Sequence, residues 1–126
     1  MSITIQWDNH EKTVIRWDFA QQWTSEQFVQ ALMTGMTLVK GVGHTVYGLG
    51  VIHNSAPANR LLLPLVDWPA NLHKLVFVGT NYHMSRSLAV RNLSRVVFAD
   101  NLAEAYEQIT LLHLKEIFEK QPSRTS

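Results

Sequence analysis

The sequence contains no cysteine, which excludes disulfide bonds, thiolate catalysis and cysteine-ligated metal sites. Charged residues make up only 17% of the 126 residues, and 11 basic side chains nearly balance 10 acidic ones. Nucleic-acid-binding domains normally have a clear basic excess, so we predict no nucleic-acid partner. No window approaches the roughly 18 uninterrupted apolar residues of a membrane span, and the amino terminus does not resemble a signal peptide. We therefore expect a cytoplasmic protein with no membrane span.

Apolar residues make up 46% of the sequence and include four tryptophans. This length and composition are typical of one domain with its own core. We predict a single domain over residues 1–120 and a disordered carboxyl-terminal tail over 121–126. Low charge combined with many aromatic side chains favours an apolar surface patch, which suits a protein partner or a homodimer.

The first forty residues predict a β-hairpin followed by a helix. Apolar and polar residues alternate over 3–7 and again over 13–19, as in half-buried strands joined by a polar turn. Thr24 and Gln27 have the spacing of a capping box, and Trp23 and Phe28 have that of a hydrophobic staple. The helix should therefore run over residues 24–40, with glycines after it as stop signals.

The rest of the chain alternates between predicted strands and helices. We predict strands at 45–53, 74–79 and 95–99, a short helix or turn at 61–68, and a helix at 82–92. Gly48 and Gly50 either weaken the first of these strands or mark close approach by a neighbour. Asp100 or Asn101 caps the last helix, and its buried stripe should comprise Leu102, Ala105, Tyr106, Ile109, Leu112 and Ile117.

This order, β-β-α-β-α-β-α-β-α, indicates an α/β fold. Strands that alternate with helices form a mainly parallel sheet covered by helices. We predict a mainly parallel, mixed sheet of about five strands with about four helices.

Particular residues within this order resemble the STAS domain family, which includes anti-sigma-factor antagonists. The most specific stretch is RVVFADNLAEA at residues 95–105, which is similar to the family's closing strand, turn and helix. The hairpin, the capped helix at 24–40 and the buried strand at 75–79 add to the resemblance, which covers about residues 2–118. It implies a regulatory or protein-interaction module with a non-enzymatic role in bacterial signalling.

The resemblance also implies a switch, because antagonists of this family carry a phosphorylated serine at the start of their second helix. The corresponding segment here is NSAPANRL at residues 54–61, in which no aspartate precedes the serine. Ser55 is either a displaced equivalent or the switch is absent, and we favour its absence. The family's binding face maps onto residues 53–68, which gives a partner-binding loop and helix of His53, Asn54, Ser55, Asn59, Arg60, Leu61 and Trp68.

The apolar run at 61–68 allows two interpretations, a buried core segment or part of an interface with Trp68 as its anchor. A different candidate site follows the buried strand at 74–79, where backbone N–H groups and a nearby arginine could bind an anion such as phosphate or a nucleotide. Arg91 and Arg95, one helical turn apart, could add positive charge there. Its candidate residues are Gly79, Thr80, Asn81, Ser85 and Arg86.

We predict no catalytic residues, cofactor or metal site. The six histidines are scattered, and none has the spacing of a zinc site. His53 and His83 are the one pair that could meet at the carboxyl edge of the sheet, since His44 precedes its strand. Ser55 lies close to His53 in sequence, but there is no Gly-x-Ser-x-Gly elbow, so a small hydrolase is the least favoured alternative.

Overall fold

The computed structural model describes residues 3–19, 23–53, 68–79 and 95–120. The described strands are β1 (Ile3–Trp7), β2 (Val14–Phe19), β3 (Val46–Ile52), β4 (Leu72–Val78) and β5 (Val96–Ala99). The described helices are α1 (Ser25–Lys40), between β2 and β3, and α2 (Leu102–Lys120), after β5. The predicted tail at 121–126 lies outside the described residues.

All five strands form one mixed sheet in the order β1-β2-β3-β4-β5. The pair β1–β2 is antiparallel, and the pairs β2–β3, β3–β4 and β4–β5 are parallel. The α/β class and the mainly parallel five-stranded sheet are thus confirmed. The carboxyl ends of β2 to β5 share one edge of the sheet, called the carboxyl edge below, and the opposite edge is the amino edge.

Only two helices are found among the described residues, fewer than the predicted four. The short helix or turn expected at 61–68 and the helix expected at 82–92 lie outside them, apart from Trp68 itself. The described part of the chain contains no helix with both the length and the apolar character needed to cross a membrane.

The start of α1 confirms the predicted cap. The Gln27 amide N–H donates to the Thr24 hydroxyl at 3.1 Å, and the Thr24 N–H donates to the Gln27 side chain at 3.0 Å. The rings of Trp23 and Phe28 stack with their centroids 5.3 Å apart, which completes the staple. These contacts fix the first turn of α1 against the aromatic cluster at the carboxyl end of β2, where Phe19 stacks on Phe28.

The contact between α1 and β2 depends on one tryptophan and one glycine. The indole N–H of Trp17, in the middle of β2, donates to the Ala31 carbonyl oxygen at 2.7 Å. A Cβ added to Gly35 would lie 2.2 Å from Trp17 Cζ2, closer than any real contact. The indole is therefore fully buried against the bare backbone of α1. This contact sets how closely the helix approaches the sheet.

The two helices cover opposite faces of the sheet. The face under α1 carries Ile15, Trp17 and Phe19, whereas the opposite face carries Tyr47 and Leu49. Gly48 and Gly50 lie on the α1 face, where an added Cβ would meet Leu75 and Phe77 at 2.6 and 2.7 Å. These two glycines mark close approach by neighbouring side chains, which was one of the two predicted interpretations.

The helix α2 packs on β3, β4 and β5 and is capped by Asn101, whose side chain accepts a hydrogen bond from the Glu104 N–H at 2.8 Å. Ala105 and Ile109 are buried, and Leu102, Tyr106 and Leu112 are partly buried, as the predicted stripe requires. The prediction for Ile117 is wrong, because its side chain is exposed. At this point of α2 it is Glu116 that faces the sheet, where it accepts hydrogen bonds from Thr45 and Tyr47.

Candidate functional site

Three described residues lie where parallel strands end at the carboxyl edge. His53 directly follows β3, Gly79 follows β4, and Asp100 follows β5. The His53 N–H donates to the Phe19 carbonyl oxygen at 3.0 Å, which extends the β2–β3 ladder by one residue. Ligands of α/β sheets bind at the carboxyl ends of the strands. His53 and Gly79 lie at these ends on two neighbouring strands.

Gly79 has a conformation that other residues rarely adopt, with φ at +83°. An added Cβ would lie 2.3 Å from the Ile52 carbonyl oxygen, so both the backbone angle and the space require glycine. The backbone of Gly79 itself therefore lies directly beside the end of β3, next to the residue that precedes His53.

A charged network on the α2 face of the sheet connects to this edge. We call it the Arg16 network, and it comprises Asp8, Arg16, Asp18, His53 and Tyr106. Arg16 donates to both carboxylate oxygens of Asp18, each at 2.9 Å, which is the strong two-point geometry of an arginine–carboxylate pair. Tyr106, on α2, donates to Asp8 at 2.8 Å and accepts from Arg16 at 3.3 Å. The network therefore joins the hairpin to α2.

His53 is the member of the Arg16 network that faces solvent. Its side chain is 48% exposed, whereas that of Asp18 is 15% exposed. Its Nε2 atom lies 3.1 Å from Asp18 Oδ1, which also accepts a hydrogen bond from Arg16 Nη2. Since a carboxylate can only accept, Nε2 carries the proton, and in the neutral ring Nδ1 is the free acceptor. The hydrogen bond to Asp18 thus fixes the orientation of the ring.

The pKa shifts within the network follow from these contacts. Burial alone would raise the pKa of Asp18, but hydrogen bonds from Arg16 and His53 outweigh burial and hold the pKa below its ordinary value. The hydrogen bond to Asp18 raises the pKa of Arg16. Burial and the bond to Asp8 raise the pKa of Tyr106. At neutral pH, Asp18 and Arg16 are therefore a charged pair and Tyr106 is a neutral donor.

An oriented histidine beside a carboxylate is the arrangement of a general base in acyl transfer, but that chemistry also needs a nucleophile and an oxyanion hole. Within the described ranges, no serine or threonine hydroxyl forms a hydrogen bond with His53. The same ranges hold no group of three or more histidine and carboxylate side chains able to bind a metal ion. What the described residues offer is a polar surface with one exposed imidazole.

Trp68 lies away from His53, although both were assigned to one partner-binding surface. It precedes β4 and is therefore at the amino edge, whereas His53 is at the carboxyl edge. Its indole N–H donates to the Leu72 carbonyl oxygen at 3.0 Å, and the Arg95 guanidinium lies 5.6 Å from its ring centroid. The ring also packs against the core under α1. These contacts favour a structural role for Trp68.

Arg95 likewise does not meet the candidate anion site. It precedes β5 and donates to the carbonyl oxygens of Leu72 and Pro69 at 3.2 and 3.5 Å. Gly79 is at the other end of β4, so the structure separates these two residues by the length of a strand. The remaining candidates lie outside the described residues, namely Asn54, Ser55, Asn59, Arg60, Leu61, Thr80, Asn81, Ser85 and Arg86, together with His83 and Arg91.

Sequence reasoning missed most of the Arg16 network, although one signal was present. Alternation along β2 places Arg16 and Asp18 on the same face, two residues apart, in a strand whose other residues are apolar. It also missed the contact of Glu116 with the hydroxyls of Tyr47 and Thr45, at 2.7 and 2.9 Å. Tyr47 and Glu116 are 69 residues apart in the chain, so no local pattern predicts their contact.

Comparison with family models, curated protein sequences and solved structures finds no match to this chain.

Proposed function

We propose that this chain is a non-enzymatic, STAS-like regulatory or protein-interaction module that acts in the cytoplasm. The observation that carries this proposal is the sheet itself, in which an antiparallel hairpin leads into three parallel pairs in sequential order. This arrangement fits the fold that the resemblance at residues 95–105 implies. The low charge and the internally paired Arg16 network fit a surface that binds by shape and hydrogen bonding.

The partner-binding surface that we propose is the carboxyl edge around His53. Asp18 and Arg16 satisfy each other, so they orient the imidazole and contribute little free charge of their own. Because Nε2 donates to Asp18, the exposed Nδ1 atom of the ring can accept a hydrogen bond, so a partner with an N–H or O–H donor at this position would bind it.

A photo-crosslinking amino acid at position 53 tests this surface in the source cells. The matched control carries the same amino acid at position 10, since His10 is also exposed but belongs to the hairpin turn at the amino edge. We expect position 53 to crosslink one defined protein and position 10 to crosslink none of it. Equal crosslinking from both positions would contradict a specific surface at the carboxyl edge.

The phosphorylation switch is a separate part of the proposal, and we propose that it is absent. Incubation of the chain with a serine kinase of the anti-sigma-factor pathway, followed by intact mass measurement, should leave the mass unchanged. Addition of one phosphate that is lost in a Ser55→Ala variant would show that Ser55 is the displaced switch residue.

A second candidate function is binding of a small anion such as phosphate at the same edge. The observation that favours it is the positive φ of Gly79 and its close approach to the Ile52 carbonyl oxygen, which place the Gly79 backbone beside the end of β3, where His53 follows. Titration with inorganic phosphate should then shift the amide resonances of His53 and Gly79 in a saturable way. Unchanged resonances at millimolar phosphate would exclude this function.

A further inference from the structure

The carboxyl-terminal half of α2 carries a stripe of apolar side chains that face away from the sheet. Leu111, Leu114 and Phe118 recur at the spacing of one helix side, and Ile117 borders them. Their exposed fractions are 58%, 45%, 68% and 41% respectively. The buried residues Ala105 and Ile109 lie on the other side of the same helix, so this outward stripe is no part of the core.

The outward stripe lies at the amino edge, far from His53. The helix α2 starts after β5 at the carboxyl edge and reaches the start of β3, where Glu116 accepts hydrogen bonds from Thr45 and Tyr47. These two contacts hold the carboxyl-terminal half of α2 in place on the sheet. The outward stripe is therefore presented on a fixed helix, and it can be covered without blocking the carboxyl edge.

One flank of the outward stripe carries a pair of opposite charges. Lys115 and Glu119 lie one turn apart with their charged groups 4.0 Å apart, and both side chains are largely exposed. An ion pair this exposed contributes little to the stability of its own helix. It can be exchanged for equivalent pairs with another molecule.

We propose that the outward stripe is the interface of a weak homodimer in which α2 of one copy packs antiparallel to α2 of a second copy. A two-fold axis opposite residue 116 places Leu114 of each copy against Phe118 of the other. Because the helix rises about 1.5 Å per residue, Lys115 then lies about 3 Å along the axis from Glu119 of the second copy. The same flank of both helices meets in this arrangement, so two intermolecular ion pairs form.

The chemistry of the outward stripe favours a second copy over an unrelated protein. The stripe and its charged flank are complementary to themselves under this one rotation, as a two-fold interface requires. The formal net charge of the chain is only +1, so two copies repel each other weakly. Four apolar side chains on one helix form a smaller contact than the roughly 20–30 residues that each partner contributes to a standard interface, so we expect a weak dimer.

Sedimentation equilibrium on the full chain, from about 5 μM to about 1 mM, tests the proposal over the range of weak complexes. The wild-type chain should change from monomer to dimer, and a Leu114→Gln/Phe118→Gln variant should dimerise at least about tenfold more weakly. The matched control is Met33→Gln, which changes an equally exposed apolar residue on α1 and should leave dimerisation unchanged. A wild-type chain that stays monomeric at 1 mM, or an equal effect of Met33→Gln, would overturn the proposal.

A charge swap tests the antiparallel geometry. Lys115→Glu alone and Glu119→Lys alone each place like charges against like charges, so each variant should dimerise roughly three- to tenfold more weakly than the wild type. An equimolar mixture of the two variants restores both ion pairs and should form the heterodimer. A mixture that associates no more than either variant alone would overturn the proposed pairing. Neither result depends on the function of the carboxyl edge, so a failure here would leave that proposal unaffected.

Discussion

Replacement of Gly35 by alanine should destabilise this protein, although the same change in a helix interior is ordinarily stabilising. Alanine is favoured over glycine in a helix by about 1 kcal/mol because glycine has more conformational freedom to lose. At Gly35, however, the new Cβ would lie 2.2 Å from Trp17 Cζ2 and 2.7 Å from the indole nitrogen. Either the helix or the indole must therefore move.

The magnitude follows from what that movement disrupts. Overpacking in a well-packed core costs about 1–3 kcal/mol, and loss of the Trp17–Ala31 hydrogen bond costs about 1–3 kcal/mol more if the donor stays buried. After subtraction of the helix preference of about 1 kcal/mol, we expect Gly35→Ala to lower the free energy of unfolding by about 1–5 kcal/mol. In urea unfolding the midpoint should fall while the slope stays the same.

Two controls separate this mechanism from a general effect of alanine. Thr37→Ala on the exposed side of α1 should leave stability unchanged or raise it slightly, because the helix preference for alanine offsets the loss of one solvent-exposed hydrogen bond from Thr37 to the Met33 carbonyl oxygen. A Trp17→Phe/Gly35→Ala double variant should be more stable than the sum of the two single changes predicts, since phenylalanine lacks the atoms that clash. A Gly35→Ala protein as stable as the wild type would refute the reasoning.

Three further changes test the polar contacts. Asp18→Asn should reduce the acid sensitivity of folding. The lowered pKa of Asp18 contributes stability that is present above the ordinary carboxyl pKa of about 4 and is lost as the pH falls through the lowered value. Urea unfolding between pH 3 and 7 should therefore show a shallower decline in stability for the variant. Tyr47→Phe should reduce the loss of folding stability at alkaline pH. Burial and the hydrogen bond to Glu116 raise the pKa of Tyr47, which contributes stability that is present below pH about 10 and is lost as the pH rises further. A variant that loses as much stability above pH about 10 as the wild type would contradict this. Trp68→Phe should lower the free energy of unfolding by about 1–2 kcal/mol through loss of the Leu72 hydrogen bond and a weaker contact with Arg95, without changing crosslinking from position 53; reduced crosslinking would place Trp68 in the partner surface.

The parts of this fold that the sequence predicts are those with local causes. The cap of α1 needs only Thr24 and Gln27 three residues apart, and the hairpin needs only alternation around a polar turn. The buried run in β4 likewise predicts a strand covered on both faces, as observed. Each of these signals lies within one short segment.

The parts that the sequence does not predict depend on contacts between distant segments. Ile117 continues an apolar periodicity, and only the tertiary position of α2 shows that it is exposed. His53 follows β3 at the carboxyl edge and Trp68 precedes β4 at the amino edge, a separation that their closeness in sequence does not indicate. The Arg16 network requires Tyr106, which is 90 residues away from Arg16.

The indole of Trp17 has a consequence for how this protein can respond to a partner. Because it occupies the gap left by Gly35 and is hydrogen-bonded to the backbone of α1, the helix cannot slide or rotate by a turn without first withdrawing a large buried ring. Hairpin and first helix must therefore move together as one rigid body. Under the proposed function, a movement at the carboxyl edge would reach the far side of the molecule through tilting of that body or through α2, and not through shear between α1 and the strands that it covers.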